Sequence, residues 1–467
     1  MNLRFLLIIL LNGHFLSAQN PQMNMVLMSH WNDTLLPAID GDQRWNDVMG
    51  WNDTVKNREY LIAGSNDSIY FFDITNPFIM VKCAVFEGHA RNAINRDYET
   101  YSHYLYTISD RSSPTGALQI FDMQYLPDSV IKVYDKDTFS INTHTLFIEA
   151  ASKRLYLCTN TYKPAGFRSM AVFDLSNPEL PAYIGELDKT LGCSYTHEVY
   201  IRRDTAYCSC GNAGLFIVDM RDLNNQKLLG SITPPYVQSG FNHSGWLDST
   251  GRYLMFTDEN QGLGIKIYDI SDKNDPQFLT VFNSHPGALP HNAYWKGGFA
   301  YVSSYEDGVY IYDLRNIASI LPNQKPSVAA YYDTYTLNKE GEYHGFHGCW
   351  GVWPYLKSGL ILASDISEGL FVFRPSDNLP VTEIESNALQ FEAWPNPCQD
   401  VLNIQLSQYH FSDVKVELVD LLGKIIATYY SDAEGKLTLP VTSFHSGMYI
   451  IRASNISGAY IKKIVVE

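Results

Sequence analysis

The chain has little charge: Asp, Glu, Lys and Arg make up 18% of its 467 residues, and 34 basic residues face 50 acidic ones. The resulting −16 is spread without long runs, so the surface repels nucleic acid and anionic lipid and excludes both as partners. Long hydrophobic runs are also missing. The apolar stretch at 5–11 falls short of the roughly 20 residues a spanning helix needs, and no later segment reaches that length, so no transmembrane segment is expected. Catalytic signatures are absent too: there is no G-x-S-x-G elbow, no H-E-x-x-H and no glycine loop of the phosphate-binding kind. Seven cysteines (83, 158, 193, 208, 210, 349 and 398) form no C-x-x-C pair and cannot all pair with one another. They read as small buried residues; one disulfide is open to them, but the spacing does not identify it.

What is abundant is aromatic and β-branched. Tyrosine alone numbers 32, and the apolar segments are short and rich in Val, Ile, Tyr and Phe, a β composition. At the start, one early basic residue, the apolar core and the small pair Ser17-Ala18 read as a secretory signal over 1–18. No cysteine follows the expected cut, which argues against a lipid anchor.

An internal repeat organises the rest. "SIYFFDI", "ALQIFDM", "MAVFDL", "LFIVDM", "IKIYDI" and "VYIYDL" align on Asp73, Asp122, Asp174, Asp219, Asp269 and Asp313, and "LFVFRP" adds a seventh unit with Arg374 in that place. The steps of 49, 52, 45, 50, 44 and 61 residues are slightly longer than a four-stranded blade period. Each unit reads as strand, strand, "VYIYDL"-type strand, turn, strand. The repeated Asp falls where the third strand ends, and a short carboxylate there holds the turn by accepting backbone N–H groups, a structural role. The seventh unit lacks a fourth strand, and 22–31 ("QMNMVLMSHW") reads as its donor, closing the ring without a free edge. The expected fold is all-β: a seven-bladed β-propeller over 19–375 closed by an N-terminal strand, a linker at 376–390, and a small Ig-like β-sandwich at 391–467.

These runs, "LFIVDM" above all, resemble the LVIVD repeat of secreted and surface proteins, and the arrangement over about 22–375 is similar to the choice-of-anchor B group of propellers. That resemblance implies a propeller working outside the cell and carries no chemistry with it. The tail has Pro395-Asn396-Pro397, Asp420 with Gly423-Lys424, Gly447-Met448-Tyr449 and a closing Lys462-Lys463-Ile464-Val465-Val466. In order and spacing these landmarks resemble the type A C-terminal sorting domain of the type IX secretion system of Bacteroidota. The resemblance implies the type IX machinery as a partner, export across the outer membrane, removal of the tail and attachment at the cell surface.

One position suggests a site. "THTL", "THEV", "NHSG", "PHNA" and "FHGC" place His144, His197, His243, His291 and His347 at the start of successive first strands, with Asn46 and Arg91 aligned in the first two units. Propellers point such residues at the central channel. Three or four convergent imidazoles suit Zn, Fe, Cu or Ni, with His197, His243 and His291 the leading set and Glu198 placed to orient a ring. Arg91 and Asn46 are the expected contacts to an anionic or other ligand. The alternative is structural: a histidine duplicated with its blade, holding a neighbouring loop. The acidic turns "TDENQG" (257–262) and "YEDG" (305–308) read as solvated hairpins, and Trp45, Trp51, Trp246, Trp295, Trp350 and Trp353 as strand packing or the wall of a sugar or peptide site. Two functions follow: a non-catalytic propeller binding a ligand or partner at its channel mouth, or a metal-dependent hydrolase or lyase using the histidines.

The tail generates the first prediction. Surface-exposed mature protein should end between about residues 375 and 391, and intact-mass spectrometry of cell-surface material that still carries Glu467 would refute this.

Overall fold

The structure is a computed structural model that describes residues 21–39, 42–111, 117–164, 166–321, 324–337 and 342–376, and further on 390–407, 415–420, 425–430, 436–455 and 458–466. The expected leader at 1–18, residues 377–389 of the expected linker and the Gly423-Lys424 landmark lie outside the described residues. Helix among the described residues is limited to three short 3-10 turns.

Among the described residues between 22 and 375 stand seven antiparallel sheets, numbered here by their first strands: Trp45–Asp53, Tyr98–Tyr101, Thr145–Glu149, Glu198–Arg202, Asn242–Leu247, Pro290–Lys296 and Cys349–Trp353. In each, the fourth strand outward is more exposed than the three inside it. The third strand of sheet four, Leu215–Asp219, is buried at every residue, because both its faces meet neighbouring sheets; that is why it reads as one unbroken apolar run. The fourth strand of sheet one, Val81–Glu87, is mostly exposed and correspondingly mixed. Each first strand packs on the first strand of the next sheet, and Cys349–Trp353 returns to Trp45–Asp53. The sheets therefore stand in a closed ring around an axis, a β-propeller fold.

The turn aspartates do the work expected of them. Asp73, Asp122, Asp174, Asp219, Asp269 and Asp313 each accept the backbone N–H two residues on, at 2.9, 2.9, 3.2, 3.1, 2.9 and 3.0 Å. A carboxylate so placed satisfies a donor at the strand end that the ladder leaves free.

The ring is joined at sheet seven. Met25–Trp31 pairs antiparallel with Gly369–Pro375 and supplies the outermost strand, while Gln22–Met23 adds a fifth strand to sheet six. Trp31 then reaches into sheet one, its ring 5.4 Å from Trp45 and 4.8 Å from Phe72. One disulfide is present, Cys193–Cys210, which ties the segment leading into His197 to the end of the adjacent strand. Closing a 17-residue loop of this kind contributes about 3 kcal/mol. Cys83, Cys158, Cys208, Cys349 and Cys398 are outside the disulfide, all but Cys83 fully buried.

The C-terminal region builds two sheets, one of three and one of four strands, around a core that includes Phe391, Leu402, Ile404, Leu418, Ile451 and Ile464.

Deleting residues 22–31 strips the outer strand from sheet seven, removes Trp31 from its aromatic cluster and bares an apolar edge. The truncated protein is expected to lose more than about 3 kcal/mol and to aggregate. A chain starting at Asp33 that keeps its thermal stability and stays monomeric in size-exclusion chromatography would overturn this account of the seam.

Candidate functional site

Strand pairing fixes the equivalent position in every sheet. Tyr60 and Tyr104 lie opposite the turn aspartates Asp73 and Asp122, and three residues further on Ala63 and Thr107 pair with Val48 and Tyr98. In sheet seven, Ala363 pairs with Val352. Two residues back from these first-strand positions stand Asn46, Arg96, His144, His197, His243, His291 and Trp350, one per sheet.

Four members of the predicted row thus share one level, His144, His197, His243 and His291, and all four line a single cavity on the axis. Asn46 is in the row but not in the cavity: it is fully buried, its Nδ2 donating to the carbonyls of Ser65 and Ala93. Arg91 and His347 fall outside the row, and this corrects the sequence alignment. Arg91 lies in the long loop entering sheet two, exposed and paired with Glu87 at 3.3 Å. Arg96 takes the row position, buried, and spends its guanidinium on the carbonyls of Ser65, Asn66 and Ala90. His347 belongs to the loop before sheet seven; it stacks on Tyr335 at 5.9 Å, 3.8 Å from Asp42. Trp350 stands in its place.

Why the row faces the axis is a matter of register. The ladder shifts between Trp45 and Val48, Asn242 and Ser244, Pro290 and Ala293, and Cys349 and Gly351. Such a bulge sits at the row in four sheets, and it aims two consecutive side chains at the channel instead of one. The residue after the row also lines the cavity, Asp47 and Asn292 in bulged sheets and Asp97, Thr145 and Glu198 in sheets whose first ladder shows no shift. Gly351 belongs to that second level, where a Cβ would stand 2.1 Å from Asp47 Oδ1. Only glycine leaves the carboxylate its space.

The imidazoles form an arc, with ring centroids 4.2, 4.3 and 4.4 Å apart from His144 through His197 and His243 to His291. His197 Nδ1 donates to the His243 carbonyl at 3.2 Å, and His291 Nδ1 to the Trp350 carbonyl at 2.6 Å. A carbonyl only accepts, so both rings carry their proton on Nδ1 and turn an Nε2 lone pair inward. His144 Nε2 lies 2.7 Å from His197 Nε2 and supplies the proton of that contact. Glu259 completes the level, 3.7 Å from His243 Nε2 and 3.5 Å from His291 Nε2, with the Tyr305 hydroxyl donating to its Oε1 at 2.8 Å. Two sets, His197/Glu198/His243 and His243/Glu259/His291, have donor atoms within 4.8 Å of one another, the reach of one ion.

Burial sets the charge states. It pulls His144 and His291 down to about 4 and holds His197 and His243 well below the usual value, with the neighbouring imidazoles lowering them further. The rings are neutral at any ordinary pH. Burial also raises the carboxyl groups: Asp97 and Glu259 to about 7, and Asp47, Glu99 and Glu198 well above their ordinary range, with nearby carboxylates adding to it.

Glu259 corrects the reading of "TDENQG" as a solvated turn, and "YEDG" is not solvated either. Glu306 and Asp307 are buried, Glu306 accepting the His344 N–H and Asp307 the Tyr343 hydroxyl. Asp47, Asp97 and Glu99 were missed in the sequence. The signal for Asp47 and Asp97 was the acid that follows the row residue in "ND" (46–47) and "RD" (96–97), as Glu198 follows His197, and Glu99 has no such signal. Aromatic side chains close the level beyond, with Trp246 4.9 Å from Tyr294 and Tyr294 5.7 Å from Trp353. The cavity volume of about 50 Å³ admits about four water-sized particles, too few for a sugar or peptide.

The geometry defines a β-propeller with a nitrogen- and carboxylate-lined axial cavity. Residues 392–467 match the family of secretion system C-terminal sorting domains, so the chain carries a type IX sorting domain, which implies that machinery, secretion and attachment at the cell surface. No curated protein matches the chain. Among solved structures, the extracellular domain of the hybrid two-component system BT3049 from B. thetaiotaomicron shares the fold, with a TM-score of 0.51 at 12% identity over 95% of this chain and 57% of that one. PorZ, a surface component of the type IX secretion system of Porphyromonas gingivalis, aligns at a TM-score of 0.46 and 10% identity over 91% of this chain, which spans 60% of its length. The Swd1 β-propeller domain of Myceliophteria thermophila aligns at 0.47 and 13% identity, covering 72% of this chain and 98% of that one. No helix among the described residues is long and apolar enough to cross a membrane.

The two arginines separate the pairing-based register from the sequence alignment. Replacing Arg96 by Ala takes the guanidinium from the Ala90 carbonyl and one of the donors from those of Ser65 and Asn66, and is expected to cost about 2–3 kcal/mol in chemical denaturation. Arg91→Ala should stay within about 0.5 kcal/mol of the parent. The reverse order would refute the assignment.

Proposed function

We propose that the chain is a secreted, surface-attached, seven-bladed propeller of the LVIVD and choice-of-anchor B kind, closed by its N-terminal strand and exported by a Bacteroidota type IX system through an Ig-like tail. Its function is to bind a divalent transition metal, Zn, Fe, Cu or Ni, in the axial cavity. The observation that carries the reading is the arc of neutral imidazoles with Glu259 and Glu198 at ligand reach. Neutral nitrogen donors need no proton removed before they bind. His197, His243 and His291 are the ligands. Nitrogens around a tetrahedral Zn at ~2.0–2.1 Å stand roughly 3.3 Å apart, so the closer His144 is not a further ligand, and its Nε2–H turns away from the His197 Nε2 lone pair when that nitrogen ligates. Arg91 and His347, which do not line the cavity, have no part in this function, and Asn46 supports it only through its buried hydrogen bonds.

Binding without turnover is the first reading, because the cavity holds an ion and its waters but no sugar or peptide. A metal-dependent hydrolase or lyase is the second, favoured by Glu259, whose carboxyl stands near 7 in the range of a general base.

Purified protein is expected to hold about one transition metal per chain by elemental analysis. His243→Ala should lower Zn affinity at least 100-fold while costing no more than about 1 kcal/mol, since His243 Nδ1 has no hydrogen-bond partner to lose. Metal-free protein at every pH, together with an early-melting His243→Ala, would make the histidines scaffolding.

A further inference from the structure

Sheet five carries a charged pair in its interior that the axial site does not use. Lys266 pairs with Phe256 across its second and third strands, Tyr253–Asp258 and Ile265–Asp269. Side chains alternate along a strand, so Asp258, two residues beyond Phe256, stands on the same face as Lys266. Leu254, Phe256, Tyr268 and Ile270 share that face and pack with Leu215 and Ile217 of sheet four. Both charged side chains are 0% exposed, and Lys266 Nζ donates to Asp258 Oδ2.

Two observations set this contact apart from an ordinary ion pair. The ammonium has three protons and, among the described residues, one acceptor, so two N–H groups lack a partner in an apolar interior, which costs stability. The other oxygen of Asp258 is already held by donors: the Tyr236 hydroxyl donates to Oδ1 at 2.7 Å, and buried Asn242 reaches it through Nδ2 at 3.5 Å. Burial also pulls Lys266 below the ordinary lysine range, toward the neutral amine, and pushes Tyr236 up, which keeps its hydroxyl a donor. A nitrogen hydrogen-bonded to one carboxylate oxygen stands roughly 3–3.5 Å from the carboxyl carbon, the separation of a near-attack pair. Nucleophile, electrophile and donors on the oxygen that would gain charge are therefore in one buried cluster.

We propose that Lys266 and Asp258 condense to an intramolecular isopeptide bond, Nζ to Cγ, once sheet five has folded. Nζ passes one proton to Oδ2, which leaves a neutral amine beside a neutral acid. The amine lone pair adds to Cγ, and the carbonyl electron pair moves onto Oδ1, where Tyr236 and Asn242 stabilise it. Reforming the carbonyl breaks the Cγ–Oδ2 bond, and Oδ2 departs as water with a second proton from Nζ. An ammonium and a carboxylate become one amide N–H and one water, so atoms and charge balance without a co-reactant. The bond removes a buried ion pair whose desolvation is costly, and it closes the turn that carries Glu259 into a covalent loop. It needs neither a metal nor a histidine, so it stands or fails apart from the metal reading.

A tryptic digest of the folded full chain, denatured just before cleavage, tests this by mass spectrometry. An unlinked chain is cut after Lys266 and gives 253–266 and 267–273 as separate peptides. Most chains should instead resist that cut and give 253–273 as one peptide, lighter by one water, about 18 Da, with no fragment ions from between 258 and 266. Lys266→Arg keeps the ion pair and should restore both the full mass and the cut. Folded wild-type protein of full mass that is cut after Lys266 overturns the proposal, and this digest decides even where the variant folds poorly. A loss of water that persists in Lys266→Arg overturns it as well, because it marks cyclisation of Asp258 onto its own backbone.

Discussion

A ring of sheets has an axis only if its last member packs on its first, and here that closure is made by hydrogen bonds at the seam. Met25–Trp31 completes sheet seven by pairing with Gly369–Pro375, and Trp31 carries the contact on to Trp45 and Phe72 of sheet one. The axial cavity inherits its shape from this seam. Gly351 in sheet seven and Asp47 in sheet one approach so closely that no side chain fits between them, so the two sheets must stand at their closed distance for that carboxylate to keep its place. Each ionisable group on the axis is held by one sheet, and the closed ring brings them to one point.

That convergence has an electrostatic cost. Burial of an isolated charge is unfavourable, and the imidazoles respond by staying neutral and the carboxyls by holding protons to unusually high pH. Neutral imidazoles still need their polar atoms satisfied. The carbonyl of the next sheet's row residue takes the Nδ1 proton of His197 and of His291, so closure around the ring also decides which nitrogen looks inward.

Repetition gave the row its place, and divergence gave each sheet its task. Asn46 and Arg96 use the row to bind the carbonyls that end sheet one's second strand, which is structural work. Sheets three to six contribute nitrogen. The residue after the row contributes oxygen from sheets one, two, four and six. The row thus does structural work in sheets one and two and presents neutral imidazoles to the cavity in sheets three to six.

The sequence by itself determined the repeat, the strand order, the turn aspartates, the donor strand for the seam and the sorting tail. Each of these is written in local pattern: alternation, turn residues and a fixed spacing between like segments. It also placed Asn46 and four of the five histidines, where a motif sets the count. In sheet two, and in sheet seven behind its longer entry loop, the match slipped to Arg91 and His347, and only strand pairing reached Arg96 and Trp350. Tertiary structure alone decided that Glu259 leaves its turn for the histidine arc, that Cys193 pairs with Cys210, and that Asp47, Asp97, Glu99 and Glu198 share one cavity. These depend on a bulge in register and on closure between residues some 300 positions apart in the chain, and neither the register of a ladder nor a distant contact has a signature in local sequence.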